Sequence, residues 1–292
     1  MTRTAFGLDL AGYSAVAKAK LVRILERDDA TAEATLLDFS VFNKKHHGND
    51  EISAVAGKEV SILEKCITTD ASLFVDVPID LQDLPPPHSP QYIWQLQFRS
   101  VDRAFEGMAP LASRLGAPVA RFKNLLELAE RNLNKPALLG KMVFETYPAA
   151  SLKLVLGQEP KSYKNCQTKY IGAEWVPFKW PKTKKADETG LHDVANKLHL
   201  SAPDESPWSD DEIDAVICAM AGVVGSNGVL KDETLKYEIK NSLQSQGLRG
   251  TSNQFYEPPV GYVLVKNNPF SEIRLRRLKI AADVDWAKAL VT

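Results

Sequence analysis

Apolar and small or polar residues alternate near the start of the chain. Phe6, Leu8 and Leu10 fall on one side, and Ala5, Gly7 and Asp9 on the other. A period of two predicts a strand with one strongly apolar face, and Ala11-Gly12 predicts the turn that ends it. Alternation resumes over residues 14–26 (Val16, Ala19, Leu21, Ile24) with basic outer positions, and again over 34–42. Short polar connections between these three runs predict an antiparallel meander. Residues 51–66 then change to helical spacing (Ile52, Val55, Val60, Leu63), and 71–78 form a short apolar run expected to be a buried strand.

Pro85-Pro86-Pro87 and Pro90 interrupt the pattern. Helices predicted at 91–107 and 119–132 make a helical insertion at about 85–137, packed over the sheet. A fifth strand is predicted at 141–147, and Pro148 suits the first turn of a helix over 149–156. Ser209 with Glu212 three residues later is a capping-box pattern, opening a nearly all-apolar helix over 213–224. A helix at 232–243, a late strand at 259–266 and a helical tail through Trp286 complete the chain. The expected class is α/β: a mixed sheet, antiparallel meander plus parallel strands, flanked by helices. One domain would span 1–266, with an extension over 267–292.

Composition narrows the function classes. The 292 residues are 44% hydrophobic and 25% charged, with a formal net charge of −1, so no global basic field advertises nucleic acid. Cys66, Cys166 and Cys218 are far apart, which argues against a zinc knuckle or a disulfide framework. No apolar run reaches transmembrane length and the first residues lack a signal-peptide pattern, so a cytoplasmic protein without membrane contact is expected. A local basic stretch does occur at about 158–190. Its lysines, among them Lys161, Lys164, Lys169, Lys179, Lys182, Lys184 and Lys185, are interleaved with Trp175, Phe178 and Trp180. Basic plus aromatic suits either a nucleic-acid platform or a solvated loop anchored by its rings. His46-His47, in a polar loop, reads as solvated.

The candidate chemistry is acidic. Asp9, Asp76 and Glu145 each interrupt a predicted strand, and Asp211 and Asp214 sit one helical turn apart. Acids favour a helix N-terminus, which accounts for Asp210 and Asp211; Asp214 is the single charge inside an apolar run and lacks that explanation. A cluster of partly buried carboxylates stays ionised only with cations, and hard oxygen donors select Mg2+ or Mn2+. Two such ions would stabilise the attacking and leaving oxygens of phosphodiester hydrolysis. Lys153, Lys161 or Lys164 would hold the scissile phosphate.

Gly7-Leu8-Asp9, Val75-Asp76-Val77-Pro78, Arg99-x-x-Asp102-Arg103, Glu145-x-Tyr147-Pro148, Asp211-x-x-Asp214-Ala215 and the Gly261-Tyr262 strand carry a resemblance. In order and spacing they are similar to the RNase H-like superfamily, distantly to RuvC-type resolvases, and more closely to the domain of unknown function 429 family of predicted RNase H-like nucleases. Leu10 stands where that family commonly has glycine. The resemblance implies a ribonuclease H-like fold and metal-dependent nuclease chemistry. Asp9, Asp76, Asp211 and Asp214 would be metal ligands, and Glu145 a further ligand or water-orienting base. Arg99 and Asp102 would line the substrate cleft and Lys164 would contact phosphate. Nucleic acid is the expected partner, with a homodimer as resolvases form. Two other classes compete. One is a non-catalytic nucleic-acid-binding scaffold on the same fold. The other is an actin-like phosphotransferase, whose second Asp-Gly hairpin and Gly-Gly adenosine motif the chain lacks.

Overall fold

Strand β1 (Thr4–Asp9) pairs antiparallel with β2 (Lys20–Glu26), and β2 antiparallel with β3 (Thr31–Phe39), giving the expected meander. The structure is a computed structural model. It describes residues 2–11, 19–27, 30–39, 49–68, 71–80, 98–107, 116–136, 138–158, 163–179, 190–204, 206–248 and 256–280. His46-His47, the proline run, Lys161, Trp180 and the lysines at 182, 184 and 185 lie outside those residues, as do residues 91–97 of the helix expected at 91–107.

Helix α1 (Asn49–Thr68) leads to β4 (Ser72–Val75), which joins the free side of β1 in parallel. The insertion follows as a short α2 (Ser100–Ala104) and a long α3 (Gly116–Leu133). Strand β5 (Val143–Glu145) then pairs parallel with β4. Pro148 opens α4 (Pro148–Leu156), where its missing N–H costs nothing.

The basic segment differs from the loop expected there. It folds as a hairpin of β6 (Gln167–Ile171) and β7 (Glu174–Lys179), turned by Gly172 and Ala173, both at positive φ (59° and 68°). Two consecutive left-handed residues match the right-handed twist of a two-residue hairpin. Past α5 (Leu191–Lys197) and β8 (Leu200–Ser201), β9 (Trp208–Ser209) adds a third strand to this small sheet.

Helix α6 (Asp210–Met220) begins at the expected capping box: Ser209 N–H donates to Glu212 Oε2 (2.8 Å), and Glu212 N–H to Ser209 Oγ (3.4 Å). Strand β10 (Val229–Leu230), α7 (Asp232–Ser245) and β11 (Leu264–Val265) follow. The late strand expected at 259–266 is reduced to β11, which pairs with β10 outside the main sheet, while Tyr262 makes one parallel bridge to Glu145.

The helical tail expected after residue 266 is corrected over residues 272–280. Strand β12 (Glu272–Ile280) runs parallel to β3 along its whole length and carries β8 on its other side. Ile273 and Leu275 alternate inward, but Arg274, Arg276, Arg277 and Lys279 mask that period in the sequence. The sheet order is therefore β5-β4-β1-β2-β3-β12-β8.

Each face of this sheet has its own core. Phe6, Leu8, Leu21, Leu73 and Val75 pack under α1 and α3, while Ala5, Val22, Ile24 and Phe74 pack under α6. Gly7 is what allows α6 so close to β1. A Cβ there would lie 2.1 Å from the Ala215 carbonyl oxygen and 2.3 Å from the Ala219 nitrogen. Both obstacles are helix backbone, which cannot rotate away. Gly7→Ala is expected to lower stability by about 3 kcal/mol or more, read from urea unfolding. Among the described residues no helix is long and apolar enough to cross a membrane.

Candidate functional site

Parity along the strands decides which acids meet. Asp9 ends β1 on the same face as Ala5 and Gly7, beneath α6. Asp76 directly follows β4 on the face of Phe74, and its N–H donates to the Leu8 carbonyl at 2.9 Å. The two carboxylates thus stand side by side at the carboxyl ends of adjacent parallel strands, where open α/β sheets commonly bind ligands. From the covering helix, Asp214 arrives fully buried and Asp211 half-buried one turn earlier.

Their charges act on one another. Burial pushes the Asp9 carboxyl well above the usual carboxylate range, reinforced by Asp76, Asp214 and Asp211. Burial likewise lifts Asp76 to about 7, with Asp214, Glu145 and Asp211 adding to it against the opposing pull of Lys164. Asp214 is raised by burial, held back by Lys164.

Lys164 is the cation of this site. Its ammonium forms an ion pair with Asp214 Oδ2, and the Tyr163 hydroxyl donates to Asp214 Oδ1 at 3.4 Å. The turn carrying it is fixed from α6 as well, since Asn165 N–H donates to Asp210 Oδ2 at 2.7 Å. Asp210 is therefore more than a helix-end acid: it sets the register of Lys164.

Glu145 takes a different position from the one expected. It shares the face of Val143 and Val75, the opposite side of the sheet from Asp9 and Asp76. There it is buried, with Oε1 accepting from Arg99 Nη2 (2.6 Å) and Oε2 from Arg99 Nη1 (2.9 Å) and Ile79 N–H (2.8 Å). Both oxygens are committed to the scaffold. Arg99 is committed too. Its remaining N–H groups reach Asp102 (Nε to Oδ2, 2.9 Å; Nη2 to Oδ1, 2.8 Å) and the Asp80 carbonyl (Nη1, 3.3 Å). With all five donors engaged, Arg99 braces α2 against β5 and offers none to a substrate phosphate. Lys153 points elsewhere, pairing with Glu106 at the surface (2.7 Å).

A cleft of about 130 Å³ lies between these two clusters. Asp76 and Lys164 line it on one side and Arg99, Asp102 and Glu145 on another. Thr146, Tyr147 and Tyr262 also line it. Tyr147 and Tyr262 belong to the motifs that carry the resemblance, whereas Thr146 has no signal of its own in the sequence. Tyr262 packs its ring under the Arg99 guanidinium, 5.9 Å from centroid to Cζ.

No family model, no curated protein and no solved structure matches this chain.

The donor chemistry around Asp9 and Asp76 suits a hard divalent cation, because the charges of four carboxylates act on one another beside the single Lys164 ammonium. Among the described residues, however, no three acids, histidines or cysteines already stand at ligand spacing. Loading the site would require the Lys164 ammonium to withdraw from Asp214.

Proposed function

We propose that this protein is a metal-dependent nuclease with an RNase H-like core. The single observation carrying this reading is the convergence of Asp9, Asp76, Asp211 and Asp214, from three separate segments, on one end of the sheet. The order β5-β4-β1-β2-β3, with an antiparallel meander and two parallel strands beside it, supports the RNase H-like assignment; β12 and β8 extend that core.

Asp9, Asp76, Asp211 and Asp214 would hold Mg2+ or Mn2+. Such a cation supplies charge neutralisation at a phosphodiester and a more acidic bound water. The chain's own contribution is placement. Gly7 brings α6 down onto β1, Asp210 fixes the Lys164 turn, and the Arg99–Glu145 brace holds the far wall. Released from Asp214, Lys164 is the ammonium nearest to an entering phosphate. The exposed edge of the β6–β7 hairpin supports nucleic acid as the partner: Lys169 Nζ lies 4.6 Å over the half-exposed Phe178 ring, with Lys179 on the same strand as Phe178.

A non-catalytic nucleic-acid-binding scaffold is the second reading, favoured by one observation. Lys164 already neutralises the most buried acid, as a retired metal site would allow.

Calorimetric titration of Mg2+ and Mn2+ into wild type and Asp9→Asn, beside a panel of labelled single-stranded, duplex and branched DNA and RNA, separates them. The nuclease reading expects cation binding that Asp9→Asn abolishes, with cation-dependent cleavage of at least one substrate. Wild type that binds neither ion and cleaves nothing would overturn it.

A further inference from the structure

We propose that the cleft beside Asp76 and Lys164 is a nucleobase pocket, receiving the base of the nucleotide whose phosphate lies at the carboxylate cluster. The proposal rests on the nuclease reading for the identity of that phosphate, but its evidence is separate.

The first observation is size. At about 130 Å³ the cleft is close to the roughly 150 Å³ cavity that accepts a benzene ring, so it suits one planar ring rather than a sugar–phosphate chain. The second is its lining. Val77, Pro78, Tyr147, Ala149 and Tyr262 supply apolar and aromatic walls, the surface on which any base stacks regardless of sequence.

Charge is the third. Arg99, Asp102 and Glu145 satisfy one another, so this side offers a phosphate no free cation and confronts it with two carboxylates. A neutral ring meets no such penalty. The fourth is an unpaired polar group. Thr146 lines the cleft at 1% exposure, and its Oγ1 has no hydrogen-bond partner among the described residues. A buried hydroxyl without a partner is costly, and a base edge would satisfy it. Because a hydroxyl both donates and accepts, it fits pyrimidine and purine edges alike.

Position links the pocket to the chemistry. Thr146 N–H donates to the Val75 carbonyl at 2.9 Å, immediately before Asp76, so a ring bonded to Thr146 lies one residue from the acidic cluster.

The test is calorimetric titration of uridine monophosphate, adenosine monophosphate and ribose 5-phosphate into the full chain with Mg2+ present. Both nucleotides are expected to bind about tenfold or more tightly than ribose 5-phosphate, the contribution of stacking one base. Ala149→Leu, which extends a side chain into the cleft, should abolish that preference, and Thr146→Val should reduce it severalfold. Gly107→Ala guards against misfolding of the first variant. Its Cβ would meet Asp102 Cα at 3.4 Å and Tyr147 Cε1 at 3.5 Å, ordinary contacts that add a methyl group to another residue of the cleft lining. Equal binding of ribose 5-phosphate, no nucleotide binding at all, or an unchanged preference in folded Ala149→Leu and Gly107→Ala would overturn the pocket. The nuclease reading fails separately. A base preference without cleavage leaves the pocket standing, and cleavage without a base preference removes the pocket alone.

Discussion

Arg99→Met is expected to destabilise the protein by about 3–5 kcal/mol in urea unfolding, the cost of stranding a buried charge by removing its partner. Glu145 is only 2% exposed and loses both guanidinium bonds, keeping a single donor from Ile79. Burial already pushes its carboxyl above the usual range, and Arg99 is the largest influence opposing that rise. Without Arg99 the carboxyl would be driven further toward its protonated form, the Asp102 carboxylate would keep only the backbone N–H of residue 99 in place of its guanidinium bonds, and the Asp80 carbonyl would lose the bond from Nη1. Adding Glu145→Gln to Arg99→Met should recover a large part of the loss, because an amide needs no counter-charge. A substrate-binding role makes the opposite forecast: near-wild-type stability with weakened nucleic-acid binding. A single variant that unfolds at the wild-type urea midpoint would remove the brace.

That outcome bears on how the site was written in the sequence. Asp9 was legible because Ala5, Gly7 and Asp9 share a parity against Phe6 and Leu8, and the structure keeps that division between the two faces. Asp214 was legible as the one charge in an apolar helix. Glu145 looked equivalent to Asp9 and Asp76, yet its face is settled by the pairing of Val75 with Glu145, and register between distant strands leaves no trace in local periodicity. The Arg99–Glu145 pair spans forty-six positions, so a motif that reads as substrate-binding becomes a brace only when β5 and α2 are brought together. Strand β12 escaped for a local reason: Arg274, Arg276, Arg277 and Lys279 crowd it, Arg277 even on the face of Ile273 and Leu275 where it pairs with Glu212, and a dense charge run hides an alternation of only a few apolar residues. In the hairpin the signal was present but weak, since Gly172-Ala173 is a poorer left-handed pair than Asn-Gly.

Asp76→Asn should stabilise the cation-free protein, and the gain should depend on pH. The Asp76 carboxyl is held at about 7 in the folded state against about 4 when unfolded. Between those values the unfolded chain has lost a proton that the folded protein still binds at Asp76, so the Asp76 contribution to wild-type stability falls as pH rises from about 4 to about 7 and is flat above. Asparagine mimics the protonated acid at every pH. The variant should therefore match wild type near pH 4 and exceed it by on the order of 2–4 kcal/mol at pH 8, read from urea midpoints in the presence of a chelator. Saturating Mg2+ should then raise wild type at pH 8, by binding the folded state alone, while leaving the variant unmoved. The two responses have one origin, since the burial of a charge at Asp76, reinforced by Asp214, costs the empty fold stability and is what a divalent cation would offset. A variant less stable than wild type at pH 8 without cation would mean that Asp76 is held by attraction to Lys164 rather than strained by burial beside Asp214. The acids would then be a network already satisfied by Lys164, with no vacancy of charge for a metal to fill.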